Sequence, residues 1–354
     1  MNSEVSHTAV SGIRLSRQAL TDPAGKTRYD SLFRRLSPVQ PGYWTYPGSP
    51  PLLAHRASFD DTAYNDSRRA DRRIIKTRLM GGNVAYIDIR DLELFACAYR
   101  NENYRLTRDD TDMLELLRGE GPVNIRFIKE ITGRFSKNIS PVLHKLQRNS
   151  LVFEDQVDSD WDRCFYLFET EFPDINLQRY PRTEALCRIL PQFIEMNVFA
   201  DEKSIRSFFC FNLKDIKTAL SVLLGKGIIA EAVCNNRLGY ILASDLVILQ
   251  KEREQQPSVF VFHRNDFLVK SQEAELKARF SSHDWDILQY ILIDGEFSGA
   301  VAGKFKNGPF VLKDILLDPS ANIKPGRKKE IINAVYQVNN KELSPLQRYN
   351  GTVL

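Results

Sequence analysis

Apolar residues along the first two thirds of the chain recur at the spacing of amphipathic helices, and each group of such helices is followed by shorter alternating segments. In the first group, Tyr29, Leu32, Phe33 and Leu36 are spaced i, i+3, i+4 and i+7, which places them on one face of a helix. Residues 84–88 then alternate as a strand does. This group therefore predicts helices that lead into strands.

The same succession returns twice farther along the chain. A capped helix starts at Thr107, and a hairpin over residues 151–168 closes this second group. In the third group, helices begin after Asp201 and Asn212, and a hairpin over residues 228–242 follows. Helices followed by a hairpin are the pattern of a winged helix, so we predict an α+β fold with tandem winged-helix domains. The predicted domains are 13–104, 105–178 and 179–250.

The last part of the chain has a different pattern, with short apolar or alternating segments around glycine-rich turns. These segments are 259–262, 287–293 and 297–305. They predict a β-rich C-terminal element over 257–320, behind the polar connector KEREQQP. The polar residues 1–12 and 324–354 are expected to be mobile tails.

Composition narrows the class of protein. The chain has 354 residues and 43% hydrophobic content, which is enough for several cores, and it lacks an apolar run of about 18 residues or a signal peptide. Its cysteines, five in number, are scattered singly without ligand spacing, so we expect no metal, no cofactor and a cytoplasmic location. The net charge is only +4, but basic residues cluster at Arg34–Arg35, 68–73 and 324–329. Such clusters suit a polyanion, although a solvated helix face is the alternative for each.

Candidate chemistry concentrates between residues 36 and 83. The segment LSPVQ (36–40) brings Gln40 to a loop, PGYWTYPGSPP, that is rich in proline, glycine and aromatic residues. The segment KTRLMGGN (76–83) adds cationic side chains and a Gly-Gly turn at which backbone can approach a ligand closely. This is where a neutral amide, aromatic rings, open backbone and arginines converge in the sequence.

The order of several short motifs resembles the winged-helix DNA glycosylases of the AlkZ/YcaQ type. The likeness extends from about Arg14 to Asp318. Its motifs are RQAL (17–20), similar to RQGL; LSPVQ (36–40), similar to LGxVQ; Ser49-Pro50; Phe59-Asp60; IKTRLMGG (75–82), similar to LVRTWxMRGT; YILASDL (240–246); and FVFHRNDFL (260–268), similar to LLPPFDPLL.

The resemblance implies tandem winged helices, a C-terminal β-rich element and hydrolysis of the N-glycosidic bond of alkylated or crosslinked purines, without metal or cofactor. Such an enzyme takes the damaged base out of the stack and stabilises an oxocarbenium-like state. The family does this with a Gln-x-Gln or Gln-x-Asp pair. Gln40 corresponds to the first member, but the second position is Gly42. The family's Arg-Gly-Thr-x-His stretch also differs, since residues 81–85 read GGNVA.

Two functions are therefore open: a DNA glycosylase-like hydrolase that uses Gln40 as its catalytic residue, and a winged-helix protein that binds DNA without excision. The missing second side chain favours the binding protein, and the loop beside Gln40 favours the enzyme. A rebuilt catalytic set would come from Tyr43, Trp44, His55, Asp60 and Asn83. Both functions have double-stranded DNA, including damaged DNA, as the partner. The expected DNA contacts are Arg14, Arg17, Arg34, Arg35, Tyr43, Trp44, Arg78, Asn83, His144, Arg148, Lys214 and Lys217.

Overall fold

Helices and antiparallel hairpins alternate along the chain, which is a mixed α+β protein as predicted. The computed structural model describes residues 3–42, 50–156, 163–252, 256–306, 309–321 and 323–354. The predicted contact residues Tyr43 and Trp44 therefore lie outside the described residues. None of the helices in these ranges has the length and apolar character needed to cross a bilayer.

The N-terminal part contains a short strand, helices and the first hairpin. In chain order its elements are β1 (Ser3–Glu4), α1 (His7–Arg17), α2 (Lys26–Leu36), α3 (Asp61–Ala70), β2 (Ile74–Leu79), β3 (Asn83–Asp88) and α4 (Leu92–Tyr99). The stripe of Tyr29, Leu32, Phe33 and Leu36 is the buried face of α2, as its spacing predicts. We call α2 to α4 with their hairpin the first repeat.

The second and third repeats also place helices before a hairpin, with three helices there where the first repeat has two. The second contains α5 (Arg108–Glu120), β4 (Val123–Asn124), α6 (Ile125–Thr132), α7 (Ser136–Arg148), β5 (Val152–Gln156) and β6 (Arg163–Leu167), and α8 (Phe168–Glu171) follows it. The third contains α9 (Arg182–Asn197), α10 (Glu202–Phe209), α11 (Leu213–Gly225), β7 (Ile229–Cys234), β8 (Arg237–Leu242) and α12 (Leu246–Leu249).

The repeats differ in how their cores are joined. Apolar residues of the first and third repeats, such as Phe33, Phe95, Phe193 and Leu220, belong to one continuous core. The second repeat has a core of its own around Leu143. The first and third repeats are therefore packed together, and the second joins them through Phe153 of β5, which is part of the same core, and through polar contacts between hairpins, described below.

The C-terminal part is a sheet that closes with the last residues of the chain. Its elements are β9 (Val259–His263), α13 (Phe267–Ser271), α14 (Glu273–Arg279), β10 (Asp286–Ile293), β11 (Glu296–Lys304), β12 (Val311–Leu317), α15 (Lys328–Val338), β13 (Arg348–Tyr349) and β14 (Thr352–Val353). The strand order is β14-β13-β12-β11-β10-β9, in which β13 runs parallel to β12 and the other neighbours are antiparallel.

The expectation of mobile tails is wrong for the described residues at both ends. At the C-terminus, Ile331 and Val335 of α15 are fully buried against the sheet. At the N-terminus, β1 pairs in parallel with β7, and α1 buries Ala9, Val10 and Ile13. Each segment looks polar on average, but its few apolar residues share one helix face and are covered by a distant part of the chain.

Candidate functional site

Gln40 is held at its position by the backbone of the residue before it. The N–H and C=O groups of Val39 exchange hydrogen bonds with those of Tyr86 in β3, each 2.8 Å long. Gln40 is only 6% exposed, and its Nε2 lies 3.7 Å from the Sδ of Met80. Within the described part of the chain, the side-chain amide of Gln40 makes this weak contact and no other hydrogen bond. The amide oxygen therefore keeps its capacity to accept a hydrogen bond.

The turn between β2 and β3 has left-handed backbone at successive residues. Met80, Gly81 and Gly82 have φ angles of 50°, 78° and 96°, and the Nδ2 of Asn83 closes the turn with a 2.7 Å hydrogen bond to the Met80 carbonyl. A Cβ on Gly82 would lie 3.4 Å from the Cδ of Arg148. Glycine is favoured at position 82 by its positive φ, while a Cβ there would lie in contact with the movable side chain of Arg148 in the second repeat.

Several predicted contact residues gather around this turn. The Nε of Arg78 donates to the Oε1 of Gln147 at 2.9 Å, and its Nη1 donates to the Gly82 carbonyl at 3.2 Å. Arg148 is exposed, and its Nε donates to the carbonyl of His144 at 3.3 Å. Burial lowers the pKa of His144, and the nearby Arg78 guanidinium lowers it further. At neutral pH the ring of His144 is therefore an uncharged hydrogen-bonding group between cations.

Gln40 and Asn83 border a large cleft against the C-terminal part. The cleft has a volume of about 750 Å³, and its far wall carries the rings of Trp285 and Phe305. The guanidinium of Arg264 lies 5.9 Å from the centre of the Phe305 ring. The rings and the cation give this wall the chemistry that single bases and phosphates bind to.

A carboxylate, Glu273, lies in the same cleft. It accepts from the Nζ of Lys270 at 2.9 Å and from the Nζ of Lys277 at 2.7 Å. Burial acts to raise the pKa of Glu273, but the two ammonium groups outweigh it, and the pKa is lowered. Glu273 is therefore ionised at neutral pH. Sequence reasoning missed it, since KSQEAEL carries no motif and only the packing of α14 brings it to the cleft.

The predicted arginines of α1 and α2 have protein partners instead of a free surface. The Nε of Arg14 donates to the Asn197 carbonyl at 2.8 Å, and Arg17 makes paired bonds of 2.6 and 2.7 Å to Asp245. Arg34 likewise binds Asp91 through bonds of 2.8 and 2.7 Å, and Arg35 binds Glu195. These side chains tie α1 and α2 to other elements.

The basic segment 68–73 is also internal in large part. Arg68 is only 1% exposed and lies between Asp30 and Asp88, while Arg69 and Arg72 both bind Asp155 of the second repeat. The interpretation of this stripe as a basic surface is wrong for Arg68 and Arg69. Arginine periodicity shows a helix face but does not show which carboxylates will cover it.

The remaining candidates lie on the surface or in structural contacts. Lys214 and Lys217 are exposed on α11, where Lys217 lies 3.6 Å from Glu202. The Nε2 of His55 donates a 2.9 Å hydrogen bond to the Val261 carbonyl, and the ring contacts those of Phe260 and Phe262. Asp60 caps α3. In the described ranges no group of His, Cys, Asp and Glu side chains has the arrangement of a metal site.

Comparison with known proteins finds a solved structure with the same fold. The solved structure of Streptomyces sahachiroi DNA glycosylase AlkZ superposes with a TM-score of 0.71 over 98% of this chain and 100% of that chain. The two sequences are 14% identical, so the likeness establishes the fold. No family model matches the chain, and no curated protein matches it significantly. The resemblance predicted from short motifs is thus confirmed at the level of fold.

Proposed function

We propose that this chain is a DNA-binding protein with a DNA glycosylase-like site at Gln40, acting on alkylated purines without a metal or cofactor. The observation that carries the proposal is the cleft of about 750 Å³ beside Gln40, in a fold shared with a DNA glycosylase. In this proposal the repeats are tandem winged helices that position duplex DNA, and the C-terminal sheet closes the cleft from the other side.

The cleft offers several groups that such a reaction can use. A base taken out of the stack would meet the rings of Trp285 and Phe305, and its flanking phosphates would meet Arg264 and Arg148. The oxygen of the Gln40 amide would orient a water molecule toward the sugar. The ionised Glu273 would supply negative charge near the oxocarbenium-like state, where preorganised charge is most effective.

The same chemistry limits the substrates. A side-chain amide is not a base, and loss of a positioned general base typically removes about 10²- to 10⁴-fold in rate. A purine alkylated at N7 carries a positive charge and leaves readily, whereas a neutral base does not. We therefore expect slow excision that is confined to cationic lesions.

The second candidate, DNA binding without excision, is favoured by one observation at the same site. Gly42 has no side chain to complete the pair with Gln40, and Gln40 itself is almost fully buried. In that case the cleft would hold an extruded or mismatched base without hydrolysing the glycosidic bond. The binding surface would be the same as for the enzyme.

The deciding experiment measures base release from a duplex that contains N7-methylguanine. The native protein is expected to release the base slowly, and Gln40→Ala is expected to abolish release while duplex affinity stays within a few-fold. Gln178→Ala, at an exposed position that does not border the cleft, is the matched control. Activity unchanged by Gln40→Ala would contradict the catalytic role, and tight binding without any release would support the second candidate.

A further inference from the structure

A second cavity lies away from the Gln40 cleft, where α1, the hairpin β7–β8 and the turn before β11 meet. Its volume is about 190 Å³, and its lining includes His7, Arg14, Cys234 and Glu296. These residues come from three distant parts of the sequence. None of them borders the cleft beside Gln40.

The positions of these side chains are fixed by backbone contacts. The N–H of Val5 donates to the Val233 carbonyl at 3.0 Å, which sets the start of α1 beside the end of β7. The Oγ of Ser11 donates to the Gly295 carbonyl at 3.0 Å in a buried contact, which sets α1 against the turn that carries Glu296. His7 is thereby held between Cys234 and Glu296.

His7 contacts both neighbours through opposite ring nitrogens. Its Nδ1 lies 4.0 Å from the Sγ of Cys234, and its Nε2 lies 2.6 Å from the Oε1 of Glu296. The hydrogen bonds with Cys234 and Glu296 raise the pKa of His7 to about 9. The ring is therefore an imidazolium at neutral pH, and its positive charge lies beside the Cys234 sulfur, the nucleophilic atom of a cysteine. Thiol, imidazole and carboxylate in this order are the components of an activated thiol.

Arg14 gives the same cavity an unpaired cation. Its Nε donates to the Asn197 carbonyl, and within the described residues it makes no ion pair. Burial lowers the pKa of Arg14 to about 10. The two other arginines of the cavity differ from Arg14 because each has a carboxylate partner: Arg237 binds Asp201, and Arg279 binds Asp318. An anionic group beside Arg14 would supply the charge partner that the protein does not provide.

We propose that Cys234, His7 and Glu296 form a second reactive site, in which the Cys234 thiolate attacks small carbon electrophiles whose anionic group is held by Arg14. In this step a sulfur–carbon bond forms, and the bond from that carbon to its leaving group breaks with its electron pair. The thiol proton leaves to solvent water, and the imidazolium of His7, whose charge Glu296 balances, stabilises the negative charge that develops on the sulfur. The product is a thioether at Cys234. This site is independent of the function proposed for the Gln40 cleft.

The test compares alkylation of Cys234 by iodoacetate and by iodoacetamide in the folded full-length protein, with the labelled cysteine identified by peptide mass spectrometry. Cys210 is the internal control. The residue is exposed overall, and partial desolvation of its sulfur raises the pKa of its thiol. At neutral pH, Cys234 is expected to react with iodoacetate at least about tenfold faster than Cys210 does. The preference for iodoacetate over iodoacetamide is expected at Cys234 alone.

The pH profile and three variants separate this site from a merely buried thiol. The charged groups that face the pair are Arg14 on α1, Arg237 on β8, Glu296 on β11, and Glu275 and Arg279 on α14. The rate advantage of Cys234 over Cys210 is expected to persist from about pH 6 to pH 8 and to fall as the pH rises through about 9, where His7 loses its charge. His7→Gln and Glu296→Gln should remove this pH dependence of the rate ratio. Arg14→Gln should remove the iodoacetate preference, by roughly tenfold, and leave the pH dependence unchanged.

Thermal unfolding of each variant shows whether it is folded, and labelling is compared only among folded variants. Should His7→Gln fail to fold, the native protein still decides through the two reagents and the pH profile. Labelling of Cys234 only after denaturation would overturn the proposal and identify a structural thiol. Equal rates with both reagents would overturn the role of Arg14.

Discussion

At the residue scale, the position beside Gln40 decides how much chemistry the cleft can perform. Gly42 and Gln40 line the same small cavity next to the main cleft. Among the described residues, a Cβ built on Gly42 would have Leu52 Cγ at 3.9 Å as its nearest neighbour, which is an ordinary contact, and its backbone is outside the left-handed region. None of the described residues therefore blocks a side chain at position 42.

We predict that Gly42→Asp increases the rate of base release. The carboxylate would supply the base that Gln40 cannot provide, with a gain on the order of 10²-fold. The measurement is single-turnover release of N7-methylguanine, with Gly42→Ala as the control for steric effects. The free energy of unfolding should change by less than about 0.5 kcal/mol. No gain over Gly42→Ala would mean that position 42 does not face the sugar.

The residues of the site show which parts of it the sequence could predict. Gln40, Arg78 and Asn83 could be predicted together, because they lie on one strand pair and on the segment that pairs with it. Trp285, Phe305 and Glu273 could not, because only the docking of the C-terminal sheet brings them to the cleft. The protein partners of the arginines could not be predicted for a related reason: Arg34 and its partner Asp91 are 57 residues apart, and sequence does not show such pairing.

At the element scale, the C-terminal helix α15 illustrates how a polar segment can be essential to a fold. The segment 324–338 contains many Lys and Arg residues, and its mean polarity predicted a tail. Its buried residues Ile331, Ala334 and Val335 share one face, however, and that face covers the sheet. The hairpins were predicted well because their alternation and turn residues are local signals. The partner of α15 is not local.

We predict that Ile331→Ala destabilises the protein by about 2 to 5 kcal/mol, because Ile331 is fully buried and its truncation leaves a cavity. Asn333→Ala, on the exposed face of the same helix, is the matched control and should have little effect. Urea unfolding of both variants provides the measurement. Equal midpoints would mean that α15 does not pack on the sheet in solution.

At the scale of the whole molecule, the second repeat is attached to the first by buried charges. Glu154 of β5 is 1% exposed and lies 3.2 Å from the Nζ of Lys76 in β2. Burial acts to raise the pKa of Glu154, but Lys76, Arg163 and Arg78 outweigh it and lower the pKa to about 2. The ionised carboxylate is therefore part of the contact between the hairpins of the two repeats.

This arrangement predicts an acid-sensitive contact between repeats. A carboxylate with a lowered pKa in the folded state stabilises the protein above its unfolded pKa, about 4.5, and this stabilisation is lost as the pH falls through about 2. Glu154→Gln should therefore be destabilised relative to the native protein at pH 7, and the difference should shrink between about pH 4.5 and pH 2. Denaturant unfolding across this range is the measurement. A difference that is independent of pH would contradict the ionised pair.

DNA binding by the whole molecule should depend steeply on salt. Each neutralised phosphate contributes about −0.9 to the slope of log K against log salt concentration for duplex DNA. Arg148→Gln should make the slope shallower by about one contact, because Arg148 is exposed and makes no ion pair in the described residues. Arg28→Gln, which removes an exposed arginine already paired with Asp22, is the control. Tight binding that does not respond to salt would contradict a phosphate-binding surface.

The contact of His7 with Glu296 also bears on how the protein is made. These two residues are 289 positions apart, and β1 likewise can pair only after β7 has been synthesised. During synthesis on the ribosome, α1 therefore has no apolar partner until the third repeat has been made. The elements of the first repeat can pair locally, as domains usually do during translation. Closure of α1 onto the third repeat is consequently a late event in biogenesis, and a ribosome-bound chain that stops before β7 should expose α1 to proteases and chaperones.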